Sequence, residues 1–330
     1  MVTEEILIVF FEGTSNVLKP CTTQIGIFAA ACRAVDVSDS PIGIRRGPFK
    51  IAFDGCGVNS LTGVLFASGL TAQCRAARER VREILARDKS CTVRVVAVGL
   101  SRGGIACIRL GLDLAAAEFA ERTSVVLLLY DPVAGDAVST GFPFTGMGAK
   151  DLRSCTNLKR VLALYPHEPL PDIAMHAPTL VAYPPSCEVE EDVTLGCHQG
   201  ALFRTHEKAF EASASNLSFR RIADFLEEEG IELGFGSAWY EVSHADCLSI
   251  CRAALRQNHP TTRILHDGMG LRRKIVRHGI PLVSDTQTRW FLNRQHEQLE
   301  RKIGNSTMSP SGDVPQTMYM LAIEPSQGCF

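Results

Sequence analysis

The chain has 330 residues, 45% hydrophobic and 21% charged, with a net charge of −2 and an isoelectric point near 6.5. This ordinary globular balance excludes a disordered or collagen-like chain, and the slight acidity gives no case for nucleic acid as a partner. No apolar run approaches a membrane span, and the acidic start Met1-Val2-Thr3-Glu4-Glu5 carries no basic signal region. The expectation is a cytoplasmic protein, or one exported by a specialised secretion system that needs no signal peptide. The 12 cysteines are scattered, with no C-x-x-C and no zinc-finger spacing. Buried free thiols in a reducing compartment are expected, with no metal site and no cofactor.

Taken in order, residues 5–11 form a buried apolar strand that runs into the polar turn Glu12-Gly13-Thr14-Ser15-Asn16. A short helix is predicted over 25–35. A second strand, 49–53, ends in Asp54-Gly55-Cys56-Gly57-Val58. Over 70–88 the apolar residues Cys74, Ala77, Val81, Ile84 and Leu85 recur at three and four, which predicts an amphipathic helix. A strand over 92–98 and a helix over 103–121 follow, then a strand over 124–130 ending in Asp131-Pro132-Val133. Long apolar strands alternating with helices predict an α/β fold with a mainly parallel, doubly wound sheet.

The second half is less regular. Residues 134–157 read as a Gly-rich loop or cap, and 158–165 as a strand followed by Pro166-His167-Glu168-Pro169. A strand is predicted over 179–183. The acid run 188–192 reads as a solvated loop, and a last strand over 193–197 ends on His198. From about residue 205 the composition changes, and helices are predicted over 208–229, 241–258, 262–278 and 286–302. Arg272-Arg273-Lys274 reads as a solvated basic face on one of them, and 318–323 as a late strand. Two regions result: a core over 1–205, and a helical extension with a polar tail over 206–330 that serves as lid or docking surface.

The most informative stretch is Val95-Val96-Ala97-Val98-Gly99-Leu100-Ser101-Arg102-Gly103-Gly104. An apolar strand climbs into Gly-x-Ser-x-Gly and a small-residue helix follows, the context of a nucleophile elbow. The strained turn needs small flanking residues, supplied by Gly99 and Gly103. Ser101 is the candidate nucleophile. The backbone N–H of Arg102, with those of Gly13 and Thr14 in the first strand-end turn, is a candidate oxyanion hole. A serine needs a base, and the base needs a carboxylate to orient it. Asp131 and His198 both follow later strands, in the chain order Ser, Asp, His. His167 also follows a strand and is the rival base; Asp54 and Asp136 are the rival acids.

On these residues the chain resembles the α/β-hydrolases of the type VI secretion phospholipase effectors and their relatives. That group opens on F-D-G-T-x-N, here Phe11-Glu12-Gly13-Thr14-Ser15-Asn16. It has a turn similar to Phe53-Asp54-Gly55-Cys56-Gly57-Val58, a G-x-S-R-G elbow matched at Gly99–Gly103, and a D-T-V matched by Asp131-Pro132-Val133. Its histidine motif is matched only at Gly196-Cys197-His198-Gln199-Gly200, and Glu12 stands where the group has Asp. The resemblance implies a serine esterase with a Ser101–Asp131–His198 triad, acting on an ester or lipid at a membrane surface. The alternative is a hydrolase scaffold without turnover that binds a protein partner through its C-terminal helices.

Overall fold

The computed structural model describes residues 3–18, 23–58, 69–133, 151–168, 181–197, 209–234, 239–242, 264–266, 272–274 and 318–321. Seven strands make one sheet: β1 (Glu4–Phe11), β2 (Val35–Asp36), β3 (Phe49–Phe53), β4 (Thr92–Leu100), β5 (Thr123–Tyr130), β6 (Leu158–Glu168) and β7 (Glu188–Cys197). Their order is β2-β3-β1-β4-β5-β6-β7, and every pairing is parallel. The chain runs from β1 to the edge strand β2, returns to β3 beside β1, then crosses to β4 on the other side of β1 and winds outward through β5, β6 and β7. The winding therefore reverses between β1 and β4, where open α/β sheets place their ligand crevice, beyond the carboxyl ends of the strands.

The central strands are continuous apolar runs because both faces of the sheet are covered. Alternate residues go to opposite faces. Leu7, Val9 and Phe11, with Val93, Val95 and Ala97, pack with helix α2 (Leu70–Arg87) and helix α3 (Arg102–Ala115). Ile8, Phe10, Val96 and Val98 pack with helix α1 (Gln24–Ala31) and helix α4 (Ala209–Glu228). Helix α4 supplies Phe219, Ile222, Phe225 and Leu226 to this second face. It follows the division at residue 205 in sequence, yet among the described helices it covers this face of the sheet together with α1.

Several elements differ from their sequence reading. The acid run is the first half of β7, not a loop. Among the described residues it is an edge strand paired with β6 alone, so charge on it is tolerated and also discourages further strand addition. Its carboxylates have partners on both faces: Glu190 meets Arg160 and Arg221, while Glu191 accepts from the Tyr165 hydroxyl at 3.4 Å. Helix 103–121 stops at Ala115, and Ala120–Arg122 forms a separate 3-10 turn. Over 181–183 the described residues make only a bridge from Ala182 to Asp151, not a strand.

Beyond α4 the described residues form two short antiparallel ladders, three of whose strands fall on stretches predicted as helices over 241–258 and 262–278. β8 (Trp239–Val242) pairs with β11 (Met318–Leu321), and β9 (Ile264–His266) with β10 (Arg272–Lys274). The basic triplet Arg272-Arg273-Lys274 is thus in a strand, paired with Ile264–His266, where β-branched Ile264 favours a strand over a helix. The strand at 318–321 lies where a late strand was expected. The predicted helix over 286–302 lies outside the described residues, as do residues 134–150 of the expected loop over 134–157; its described part, 151–157, holds the Asp151 bridge and turns.

Candidate active site

The strand ends align in register. Phe11 is opposite Phe53 on one side and Gly99 on the other, and Leu100 is opposite Tyr130. The first turn (Glu12-Gly13-Thr14), the elbow serine and Asp131 therefore leave the sheet side by side.

Ser101 sits between β4 and α3 with φ 56° and ψ −121°. A residue with a side chain rarely adopts this conformation, which costs on the order of 1–3 kcal/mol. Its neighbours hold it there. The Ser101 N–H donates to the Tyr130 carbonyl at 3.0 Å. The Ser101 carbonyl accepts from Gly104 N–H at 3.0 Å and from Val133 N–H at 3.2 Å. The serine is 6% exposed.

The flanking glycines are required by close approach. A Cβ on Gly99 would lie 2.2 Å from the Gly103 carbonyl oxygen and 2.7 Å from Cys107 Sγ. A Cβ on Gly103 would lie 2.1 Å from the Phe11 carbonyl oxygen. Gly104 lets Pro132 seat against the helix, since a Cβ there would be 2.9 Å from the proline ring. The elbow thus packs at once on the end of β1 and on the exit of β5. The thiols behind it, Cys107 and Cys74, are buried and free, and burial holds both in the neutral form, Cys74 at about 12. Neither is a rival nucleophile.

Asp131 is fully buried, with φ 45°, and its N–H donates to the Leu164 carbonyl at 2.8 Å. It directly follows Tyr130, whose carbonyl binds the Ser101 N–H, and it lies two residues before Val133, which binds the Ser101 carbonyl. The acid candidate and the nucleophile candidate are therefore fixed through the same few peptide bonds. Asp54 is engaged elsewhere: its side chain accepts from Leu18 N–H at 2.8 Å, and its carbonyl from Gln73 Nε2 at 2.8 Å. It braces the β3 turn. Asp136 lies outside the described residues.

His167 is the penultimate residue of β6. His198 lies outside the described residues, one position past Cys197, the last residue of β7 and the partner of Glu168. The backbone brings both strand ends to the same edge as Ser101.

The candidate oxyanion donors divide. Arg102 is the first residue of α3, a position whose N–H has no partner within the helix itself. The Gly13 N–H is turned away from that role: it donates to Glu12 Oε2 at 3.0 Å. Within the first turn this leaves Thr14 as the donor candidate. The turn is held against the β3 turn, where a Cβ on Gly55 would fall 1.6 Å from the Gly13 carbonyl oxygen and Ser15 N–H binds the Cys56 carbonyl at 3.0 Å.

Glu12 was legible only as a departure from the family motif. It is 1% exposed and accepts from the Thr23 hydroxyl as well as from Gly13. Thr23 is the N-cap of α1, its hydroxyl accepting from Gly26 N–H at 3.0 Å. A Thr preceding an apolar helix is the signal that would have marked this pair.

No family model matches the chain, and no curated protein matches it. Among solved structures it is similar to an uncharacterised protein from Pseudomonas aeruginosa, with a TM-score of 0.48 and 16% identity over 70% of this chain and 47% of the other. It is also similar to the Tle1 effector bound to the VgrG spike of the type 6 secretion system, with a TM-score of 0.39 and 15% identity over 61% of this chain and 51% of the other. A cutinase-like protein from Cryptococcus sp. aligns with a TM-score of 0.23 and 16% identity, over 42% of this chain and 58% of the other. The chain spans about half the length of the first two. What its own geometry carries is a strained serine at a strand–helix junction, beside a buried aspartate, where the winding of a parallel sheet reverses.

Proposed function

We propose that the protein is a serine hydrolase that cleaves a carboxylic ester, of the lipid class, through an acyl-enzyme. The observation that carries this reading is the conformation of Ser101, a strained turn held by backbone hydrogen bonds to Tyr130, Gly104 and Val133 at the switch point of the sheet. Strain of this kind persists where the surroundings over-determine it, and it aims the hydroxyl out of the strand end.

In the proposed reaction Ser101 Oγ attacks the acyl carbonyl carbon while its proton passes to the imidazole of His198. The carbonyl π-electrons move onto oxygen, where the N–H groups of Arg102 and Thr14 receive the charge. The intermediate collapses, the C–O bond breaks, and the alcohol leaves with the imidazole proton. Water then attacks the acyl-enzyme by the same route and returns Ser101. Asp131 holds the imidazole in the right tautomer. Loss of one oxyanion donor lowers turnover by roughly a hundredfold to a thousandfold, so the two N–H groups are a large part of the rate.

The test is covalent labelling by a fluorophosphonate, read as a mass shift, beside Ser101→Ala. Labelling confined to the wild type supports the reading, with hydrolysis of an ester and phospholipid panel falling by roughly 10⁴ or more in the variant. His198→Ala and His167→Ala then identify the base. A well-folded wild type that stays unlabelled, with and without lipid vesicles, overturns the reading in favour of a non-catalytic binding scaffold.

A further inference from the structure

The elbow leans on the end of β1. A Cβ on Gly103 would meet the Phe11 carbonyl oxygen at 2.1 Å and that of Glu12 at 2.8 Å. The Glu12 side chain turns inward from the same point and takes the Gly13 N–H on one oxygen and the Thr23 hydroxyl on the other. One buried residue thus joins the oxyanion turn, the N-terminus of α1 and, through its own carbonyl, the elbow helix.

We infer that Glu12 is a positioning residue for the reaction proposed above, and that its protonation state sets how well the Gly13–Thr14 turn receives an oxyanion. The inference rests on Ser101 being the nucleophile. An ionised Glu12 places a full negative charge beside the Gly13 N–H, one residue from the Thr14 donor, where it opposes the charge that forms on the substrate oxygen. A neutral Glu12 keeps the same two contacts without that opposition.

The groups that face the Glu12 carboxyl come from three elements. The Thr23 hydroxyl and Gly26 N–H of α1 favour the charged form, and Asp54 of the β3 turn disfavours it; α3 meets the residue with the Gly103 backbone. Burial dominates and pushes the carboxyl up to about 7, against the pull of Thr23, Gly13 and Gly26 and with a smaller push from Asp54. The charge therefore changes near neutral pH.

The experiment measures the rate of fluorophosphonate labelling from pH 5 to 9 for the wild type, Glu12→Gln, Thr23→Val and Thr23→Ser, with thermal unfolding of each sample at each pH. The wild-type rate rises as the histidine loses its proton, then falls by roughly tenfold above pH 7, the scale of one like charge nearby. Glu12→Gln loses the fall. Thr23→Val moves it to higher pH, because the carboxylate has lost a donor, and Thr23→Ser restores it. A folded Glu12→Gln variant with the wild-type fall overturns the inference, as does a fall that ignores Thr23→Val. An unlabelled wild type overturns the hydrolase reading instead. The unfolding series then judges Glu12 alone: a pH dependence lost in Glu12→Gln supports its titration, and an unchanged one overturns it.

Discussion

The two edges of the sheet are built on opposite plans. At the carboxyl edge, backbone meets backbone: Gly99, Gly103 and Gly55 admit contacts that no side chain would allow, and Ser101 and Asp131 hold positive φ. At the amino edge, charge meets charge. Arg160, near the start of β6, reaches Glu188 and Glu190 of β7 and Glu228 and Glu229 at the end of α4. Arg94, near the start of β4, joins Glu4 to the same Glu229. Arg122 donates to the carbonyls of Leu85, Asp88 and Cys91. One edge stores backbone strain; the other fastens helix to sheet.

The largest expected effect breaks the first plan with a single methyl group. Gly103→Ala places a Cβ against the carbonyls of Phe11 at the end of β1 and of Glu12 just past it, and should cost about 4 kcal/mol, read by urea unfolding, together with loss of fluorophosphonate labelling. Retention of both would mean that the elbow is not locked against β1.

A smaller effect lies in the pH dependence of stability. The Glu12 carboxyl is raised from 4.5 to about 7 in the folded chain, so between these values the folded state binds more protons than the unfolded one. Stability therefore falls as pH rises through that window. By pH 8 the loss is on the order of 3 kcal/mol, and Glu12→Gln should lack it. Urea midpoints at pH 5 and 8 for both proteins measure the difference.

The second plan breaks at Arg160, whose guanidinium also lies 4.7 Å over the Phe225 ring. Arg160→Met keeps the apolar stem and strands Glu229, only 9% exposed, without one of its two arginines. About 2 kcal/mol of stability should go, with the labelling rate of the folded protein unchanged. The smallest effect sharpens the contrast. Arg82 pairs with Glu79 and Glu118 on the open surface of α2, and Arg82→Ala should leave the thermal midpoint within measurement error.

The same contrast explains what the sequence discloses. Strands buried on both faces are unbroken apolar runs, so β1, β4 and β5 are readable by eye, and so is the junction at Ser101. The acidic start of β7 is not, because an edge strand needs fewer apolar residues and its partners, Arg160 and Arg221, lie 28 and 33 residues from Glu188 along the chain. Glu12 hides for a related reason. A carboxylate beside Gly-Thr-Ser-Asn reads as solvated turn, and only the fold brings Thr23 and the end of α1 over it. The turning of Gly13 N–H onto that carboxylate was equally out of reach, since a one-residue contact depends on backbone direction and not on spacing.

Helix α4 has a consequence for how the protein is made. Phe28 stacks on Phe219 with ring centroids 4.3 Å apart, and Gln24 Nε2 donates to Ser215 Oγ at 3.1 Å, across 191 residues. During synthesis every strand of the main sheet is made before this helix. The nascent chain then carries an apolar face, formed by Ile8, Phe10, Val96 and Val98 and covered, among the described helices, by α1 alone, from the completion of β4 until α4 is made. Loops closed over such distances form slowly, and exposed apolar faces associate. A soluble yield that rises when expression is slowed is the expected outcome of the late arrival of one helix.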